Sequence, residues 1–321
     1  MWCSYKFRIV RIMSQYLGQH FLKNISAIKK IIAVLDIQSG ETIIEVGPGK
    51  GALTLPMAEN LQFTIYNLQI IAIEKDGELI RQLNKKIKDL ELKNIKVIEG
   101  DVLKILPELV SKLKIVNYKL VGNIPYYITG KLLRTISELK NKPAVSVLMA
   151  QKEVAERICA VPPQMNLLAA ATQYWASPEI ILKLKAKEFD PPPEVDSAVI
   201  KLTTKKEIND LRGPKIACDF GDFGGQKVAG FKNDYPLPSL RALPKQSEFN
   251  ETKNYYKLVH IIFKQPRKTL ANNLKDGLEI SREEIEKILN SLNLPPNCRP
   301  QNLAIKKILE LARLINQALL D

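Results

Sequence analysis

The run Thr42-Ile43-Ile44-Glu45-Val46 passes directly into Gly47-Pro48-Gly49-Lys50-Gly51 and then into an apolar stretch from Ala52 to about Asn60. No other feature constrains the chain as much. Five residues of apolar and β-branched character read as a buried strand, and the glycines let the backbone turn within a few residues into a helix. A strand that feeds a helix in this way is the first half of a βαβ unit. Its partners are present. Short apolar runs at 70–74, 96–100, 119–123 and 144–150 alternate with helical segments at 76–88 and 129–139, and another helix begins near Gln151. A helix at 24–37, capped by Asn24 or Ser26, precedes them, and strand-like runs at 179–186 and 196–202 close the region. The alternation predicts an α/β fold with a mostly parallel sheet covered on both faces.

Ligands of open α/β sheets bind outside the carboxyl ends of the strands. Three features fall there in order: the glycine turn with Gly47 and Gly49, Glu74 at the end of the second strand, and Asp101 just after the third. The turn is GxGxG, not the GxGxxG of dinucleotide folds. A carboxylate at Glu74 suits ribose hydroxyls, and one at Asp101 suits an adenine amine. The pattern points to a nucleoside cofactor without a pyrophosphate, of which S-adenosylmethionine is the obvious example. With two histidines in 321 residues and four scattered cysteines, a zinc site, a disulfide scaffold and a Ser-His-Asp enzyme are all poor readings.

Asn123-Ile124-Pro125-Tyr126 follows the fourth strand. An exocyclic adenine amine is a weak nucleophile because its lone pair is delocalised into the ring. The Asn123 side-chain oxygen and the Ile124 carbonyl offer acceptors for its two N–H bonds and favour a tetrahedral nitrogen. Pro125 fixes the backbone so that the acceptors converge, and the Tyr126 ring can stack on a flipped-out base.

Charge supports a nucleic-acid partner. Lys plus Arg number 48 against 34 acids, for a net +14. Residues 1–30 carry six basic residues and no acid, whereas residues 31–200 balance 21 basic against 20 acidic, and the excess returns beyond 200. A neutral body with basic ends fits the gripping of a polyanion. No apolar run reaches the ~20 residues of a membrane-spanning helix, and residues 1–12 lack the apolar core of a secretory signal. Met13 is an alternative start. Residues 207–249 read as a linker insertion, disordered and rich in glycine and proline around 212–244. From Lys253 the pattern is helical: Tyr256, Val259, His260 and Phe263 share a face, Ser281 caps a helix over 282–291, and 303–319 is amphipathic.

Gly18-Gln19-His20-Phe21-Leu22, the run EVGPGKGALT (45–54), Glu74, GDVL (100–103), NIPY (123–126) and FDPPPEVDSAV (189–199) resemble the rRNA adenine dimethyltransferases. The run FKQPRKTL (263–270) with Asn273-Leu274 is similar to the C-terminal signature of the small-subunit branch, KsgA/RsmA. The resemblance covers about 14–204 and 252–320. It implies an N-terminal extension (1–13), a Rossmann-like S-adenosylmethionine-dependent methyltransferase domain (14–206) and a smaller all-helical RNA-binding domain (250–321). The implied substrate is 16S rRNA in immature 30S particles. Two adjacent adenines in a hairpin loop near its 3′ end become dimethylated at the exocyclic amine, using four S-adenosylmethionine molecules. The implied protein is a cytoplasmic monomer with no metal and no membrane partner. Cofactor contacts are implied at His20, Leu22, Gly47, Glu74, Asp101 and Asn123, and Phe189 would pack on the base opposite Tyr126. Arg267 and Lys268 are candidate RNA contacts.

The 23S rRNA dimethyltransferases of macrolide resistance share the catalytic motifs, and a ribosome-assembly factor with little turnover is a second alternative. The intact Asn123, Tyr126 and motif glycines speak against the latter, and FKQPRKTL favours the small-subunit branch. Residues around 162–167 depart from the family pattern, which bears on the base pocket. Lengthening a flexible loop costs only ~0.6 kcal/mol per doubling. Deleting 209–247 should therefore leave the thermal midpoint and the methyl-transfer rate close to those of the full chain, as melting curves and labelled-cofactor assays would show.

Overall fold

The structure, a computed structural model, describes residues 19–61, 68–112, 118–205 and 251–319. The expected extension 1–13, Gly18 of the first motif and the insertion 207–249 lie outside the described residues. Among these residues no helix is long and apolar enough to cross a membrane.

The described chain divides into two compact units, one of residues 19–160 and 168–205, the other of residues 161–167 and 251–319. The sequence placed 14–206 in a single catalytic domain; the structure instead groups Val161–Leu167 with the C-terminal helices. The Met165 N–H donates to the Gln301 carbonyl at 3.1 Å, which ties that segment into the helical unit. The departure around 162–167 is thus a feature of that unit.

The first unit holds a seven-stranded sheet. Its strands are β2 (Thr42–Val46), β3 (Gln69–Glu74), β4 (Ile95–Glu99), β5 (Tyr118–Asn123), β6 (Val145–Gln151), β7 (Ala176–Leu184) and β9 (Ser197–Thr204), in spatial order β4-β3-β2-β5-β6-β9-β7. The first five are parallel; β9 runs antiparallel to β6, and β7 antiparallel to β9. The order reverses between β2 and β5, which makes a switch point where a crevice opens at the strand ends. Register makes those ends level. Val46 lies opposite both Ile73 and Gly122, so Gly47, Glu74 and Asn123 emerge side by side.

Helices α1 (Ile25–Leu35), α2 (Thr54–Leu61), α3 (Gly77–Asp89), α4 (Val102–Lys112), α5 (Thr129–Glu138), α6 (Lys152–Ile158) and α7 (Leu167–Trp175) connect the strands. Asn24 caps α1, its side chain accepting from the Ala27 N–H, and Asp76 caps α3. Ala27, Ile28, Ile31 and Leu35 of α1 join Ile43, Met57, Val121, Val147 and Met149 in one buried core. A two-residue antiparallel pair, β1 (Phe21–Leu22) with β8 (Phe189–Asp190), holds the N-terminal arm on the same body.

The second unit contains α8 (Glu251–Ile262), α9 (Leu270–Gly277), α10 (Arg282–Ser291) and α11 (Ile305–Ala318). Ser281 caps α10 through the Glu284 N–H, as the sequence predicts. The buried face of α8 is Tyr255, Leu258, Val259 and Ile262, continued by Phe263. Tyr256 and His260, expected on that face, are half-buried beside it.

Among the described residues one ion pair is buried on both sides. Lys119 at the start of β5 meets the Glu41 carboxylate at 2.8 Å, with side-chain exposures of 7% and 6%. The Lys119 ammonium also donates to the Asp36 carbonyl, and the Gln38 N–H donates to Glu41 Oε2. Removing one partner of a buried pair leaves a charge without compensation, a loss of ~3–5 kcal/mol. Glu41→Gln should show that loss in urea denaturation. The double variant Glu41→Leu/Lys119→Met should recover most of it.

Candidate active site

At the carboxyl ends of β2–β5 lies a cavity of about 220 Å³. Its lining brings together ten of the residues selected from sequence: His20, Leu22, Gly47, Gly49, Glu74, Asp101, Asn123, Ile124, Pro125 and Tyr126. Phe189 is not among them. It is 1% exposed, pairs with Leu22 across β1 and β8, and belongs to the hydrophobic core.

The turn after β2 takes its shape from backbone freedom. Gly47 and Gly49 have φ of +64° and +55°. A methyl group at Gly49 would come within 2.8 Å of the Phe21 ring, and one at Gly47 would point towards the Asn123 carbonyl at 3.5 Å. The bare backbone at these positions is a cradle that a side chain would fill. Phe21 is in turn covered by the Lys50 ammonium, 4.4 Å from its ring centre.

Glu74 is the strut of the site. Its Oε2 accepts from the Gly49 N–H at 3.0 Å, and its Oε1 from the N–H groups of Lys75 and Asp76 at 2.8 and 3.0 Å. A carboxylate offers about four acceptor positions. With three filled by backbone, about one is left for a ligand hydroxyl. Asp101 also has a local duty, its Oδ1 accepting from the Leu103 N–H at the start of α4. Glu45, noted in the sequence only as preceding the turn, is 1% exposed and lines the cavity. Its carboxylate accepts from the Thr54 hydroxyl at 2.6 Å. Burial pushes the Glu45 carboxyl up to about 7, and the charge of Glu74 adds to the shift while the Thr54 bond opposes it.

The NIPY segment is held from two sides. Asn123 Nδ2 donates to the His20 carbonyl at 2.6 Å, so its Oδ1 is the atom turned to other use. The turn closes from the Ile128 N–H to the Pro125 carbonyl, one residue past Ile124. His20 Nδ1 donates to the Pro191 carbonyl at 2.8 Å, and its ring lies 6.0 Å from the Tyr126 ring at an interplanar angle of 25°. The Tyr126 hydroxyl pairs with the Ser197 hydroxyl at 2.6 Å, and Ser197 is wholly buried at the start of β9. Burial raises the Tyr126 phenol above its ordinary value, with the Ser197 bond acting in the opposite direction. In the sequence Ser197 is one residue of the run FDPPPEVDSAV, with no role assigned to it. A lone buried serine carries no signal of its partner.

In the helical unit, Arg267 and Lys268 are both exposed. Lys268 forms an ion pair with Asp276 at 2.9 Å, half open to solvent. The loop that presents them is fastened by Asn273, which is 3% exposed. Its Nδ2 donates to the carbonyls of Gln265, Lys268 and Thr269, and its Oδ1 accepts from the Gln265 N–H.

A family model described as ribosomal RNA adenine dimethylase matches residues 12–212. The chain belongs to the ribosomal RNA adenine dimethylase family. Among curated relatives, the ribosomal RNA small subunit methyltransferase A of Dehalococcoides mccartyi strain CBDB1 is 34% identical over 291 residues, 91% of this chain and 84% of that protein. Its counterpart in Mycoplasma mycoides is 31% identical over 304 residues, 94% and 97% of the two chains. Two solved structures share the fold. A dimethyladenosine transferase from Plasmodium falciparum has a TM-score of 0.69 at 22% identity, covering 93% of this chain and 98% of that one. The 23S rRNA methyltransferase ErmE has a TM-score of 0.64 at 20% identity, covering 92% and 100%.

This dimethylase is an rRNA adenine N6,N6-dimethyltransferase, and S-adenosylmethionine is its cofactor. The cavity suits that group. Its backbone cradle has no side chain at Gly47 or Gly49, and the carboxyl groups of Glu74 and Asp101 complement a cationic nucleoside.

The Glu45 carboxyl makes stability depend on pH. Between about 4.5 and about 7 the unfolded chain has lost a proton that the folded one retains, so folding weakens as pH rises through that window. A shift of this size corresponds to about 3 kcal/mol. Glu45→Gln removes the titration. Urea unfolding at pH 4.5 and pH 7.5 should show the variant gaining about that much relative to the native chain at the higher pH.

Proposed function

We propose that this dimethylase acts on 16S rRNA in immature 30S particles, as a monomer, converting two adjacent adenines of a hairpin loop near the 3′ end to N6,N6-dimethyladenine. The observation that carries the chemistry is the committed Asn123 side chain: with Nδ2 on the His20 carbonyl, Oδ1 is left to accept from an amine. The choice of the small subunit rests on the relatives named for it, whose likeness extends across both units. The FKQPRKTL segment adds to it.

When bound, the cofactor supplies an electrophilic methyl group. Gly47 and Gly49 would give it bare backbone to lie against, Glu74 would offer its remaining acceptor position to a ribose hydroxyl, Asp101 would accept from its adenine amine, and His20 and Leu22 would border it from the arm. Asn123 Oδ1 and the Ile124 carbonyl accept the two N–H bonds of the target adenine. These bonds favour the pyramidal nitrogen, whose lone pair is localised and able to attack. For each methyl gained one amine proton passes to solvent, and the demethylated cofactor leaves as a neutral thioether. The Tyr126 ring, fixed by Ser197 on one side and His20 on the other, stacks on the extruded base. Arg267 contributes a cation for phosphate from the helical unit, and Lys268 contributes once released from Asp276.

Methyl transfer from labelled cofactor to immature 30S particles and to 50S particles tests the reading. Label at two adjacent adenines of 16S rRNA is expected. Label confined to 50S particles would assign the chain to the 23S branch, and binding without transfer would assign it to the assembly factors. Asn123→Ala should lower the rate about 100-fold or more, the cost of removing one well-placed polar group from a transition state. Its cofactor affinity should change far less.

A further inference from the structure

Four large hydrophobic side chains are exposed among the described residues: Ile25, Leu90, Tyr127 and Val195. Tyr127 alone of these lines the cavity, and it is 60% exposed. It follows Tyr126 in the short turn Tyr126–Ile128, yet the two rings have opposite surroundings. The Tyr126 hydroxyl is bonded to Ser197 and its ring faces His20, whereas Tyr127 stands open at the mouth. In the first turn of α5, Lys131 also lines the cavity and is exposed, its side chain making no ion pair or hydrogen bond with the described residues. Both side chains line the same cavity, Tyr127 from the turn before α5 and Lys131 from the first turn of that helix.

We infer that Tyr127 and Lys131 form a second nucleotide subsite, which holds the base and phosphate of the nucleotide next to the adenine in the cavity. The inference rests on the proposed substrate, a pair of adjacent adenines, and adds where the waiting member of the pair lies. An extruded base drags its neighbour to the mouth of the pocket, because the two share a phosphodiester. An aromatic face open to solvent takes that neighbouring base by stacking, and a cation lining the same cavity takes the phosphate between them. Stacking tolerates both the unmodified and the dimethylated adenine, since each has the same π-face. The subsite therefore serves whichever of the two adenines is not reacting.

The test uses the full chain and whichever of the 30S and 50S particles the native protein labels. Tyr127→Ala should raise KM for the particle roughly 5- to 150-fold, the range that loss of one base–aromatic stack spans. Cofactor affinity and kcat should stay within about twofold of native, an order-of-magnitude bound on a side chain outside the reacting centre. Tyr127→Phe should restore native KM, because the ring and not the hydroxyl makes the contact. Lys131→Ala should make the salt dependence of particle binding shallower by about 0.7 in log–log slope, the value of one phosphate on a single strand. Should neither particle accept methyl, anisotropy of a fluorescent oligoadenylate gives the same comparison as a dissociation constant. A native KM in Tyr127→Ala would overturn the subsite, and so would a Phe variant as impaired as the Ala variant. Label on 50S particles would instead overturn the 16S assignment and leave the subsite standing.

Discussion

The site depends on the Glu74 carboxylate. Three strand ends and a glycine turn must be held level without a side chain filling the space between them, and Glu74 does this by accepting from Gly49 in the turn after β2 and from Lys75 and Asp76 beyond β3. Its own carbonyl takes the Gly100 N–H at 2.7 Å and so fixes the exit from β4. An ionised acceptor with several backbone donors forms stronger bonds than neutral pairs do. The same group that faces the ligand thus sets the cradle in which the ligand lies. Substituting it disturbs two functions together.

A second junction lies at His20. Its carbonyl receives Asn123, its ring faces Tyr126, and its Nδ1 reaches Pro191, so the cofactor end and the base end of the cavity share one residue. The arm that carries it is anchored by the β1–β8 pair and by the Lys23 N–H on the Glu188 carbonyl. In this arrangement Phe189 supports the arm from beneath through Leu22, a place that core packing explains fully.

Much of this was legible in the sequence, for reasons that differ along the chain. The parallel strands were plain because burial on both faces leaves uninterrupted apolar runs. The strand-end residues were plain because an α/β sheet places its ligands there. Helix α7 was not, since Ala169, Ala170, Thr172, Gln173, Tyr174 and Trp175 are all buried and leave no polar face to give a period. Helix α4 was hidden by Pro107 in its middle. The roles of Ser197, Asn273 and the Lys119–Glu41 pair depend on partners distant in sequence, and single-residue patterns do not encode such pairings. The buried face of α8 was displaced by one position, because Tyr256 and His260 are amphipathic and fit the edge of a stripe as well as its centre.

The grouping of Val161–Leu167 with the C-terminal helices has a consequence for modularity. The helical unit is not a contiguous tail. It includes Val161–Leu167, which in sequence lies between two stretches of the first unit. A truncation after Thr204 would therefore not release a clean catalytic fragment, for it would remove the Gln301 carbonyl and orphan the Met165 N–H. Transplanting the tail onto another methyltransferase faces the same obstacle in reverse, since the graft lacks the strip of chain on which it closes. A transferable helical unit therefore comprises Val161–Leu167 as well as residues 251–319.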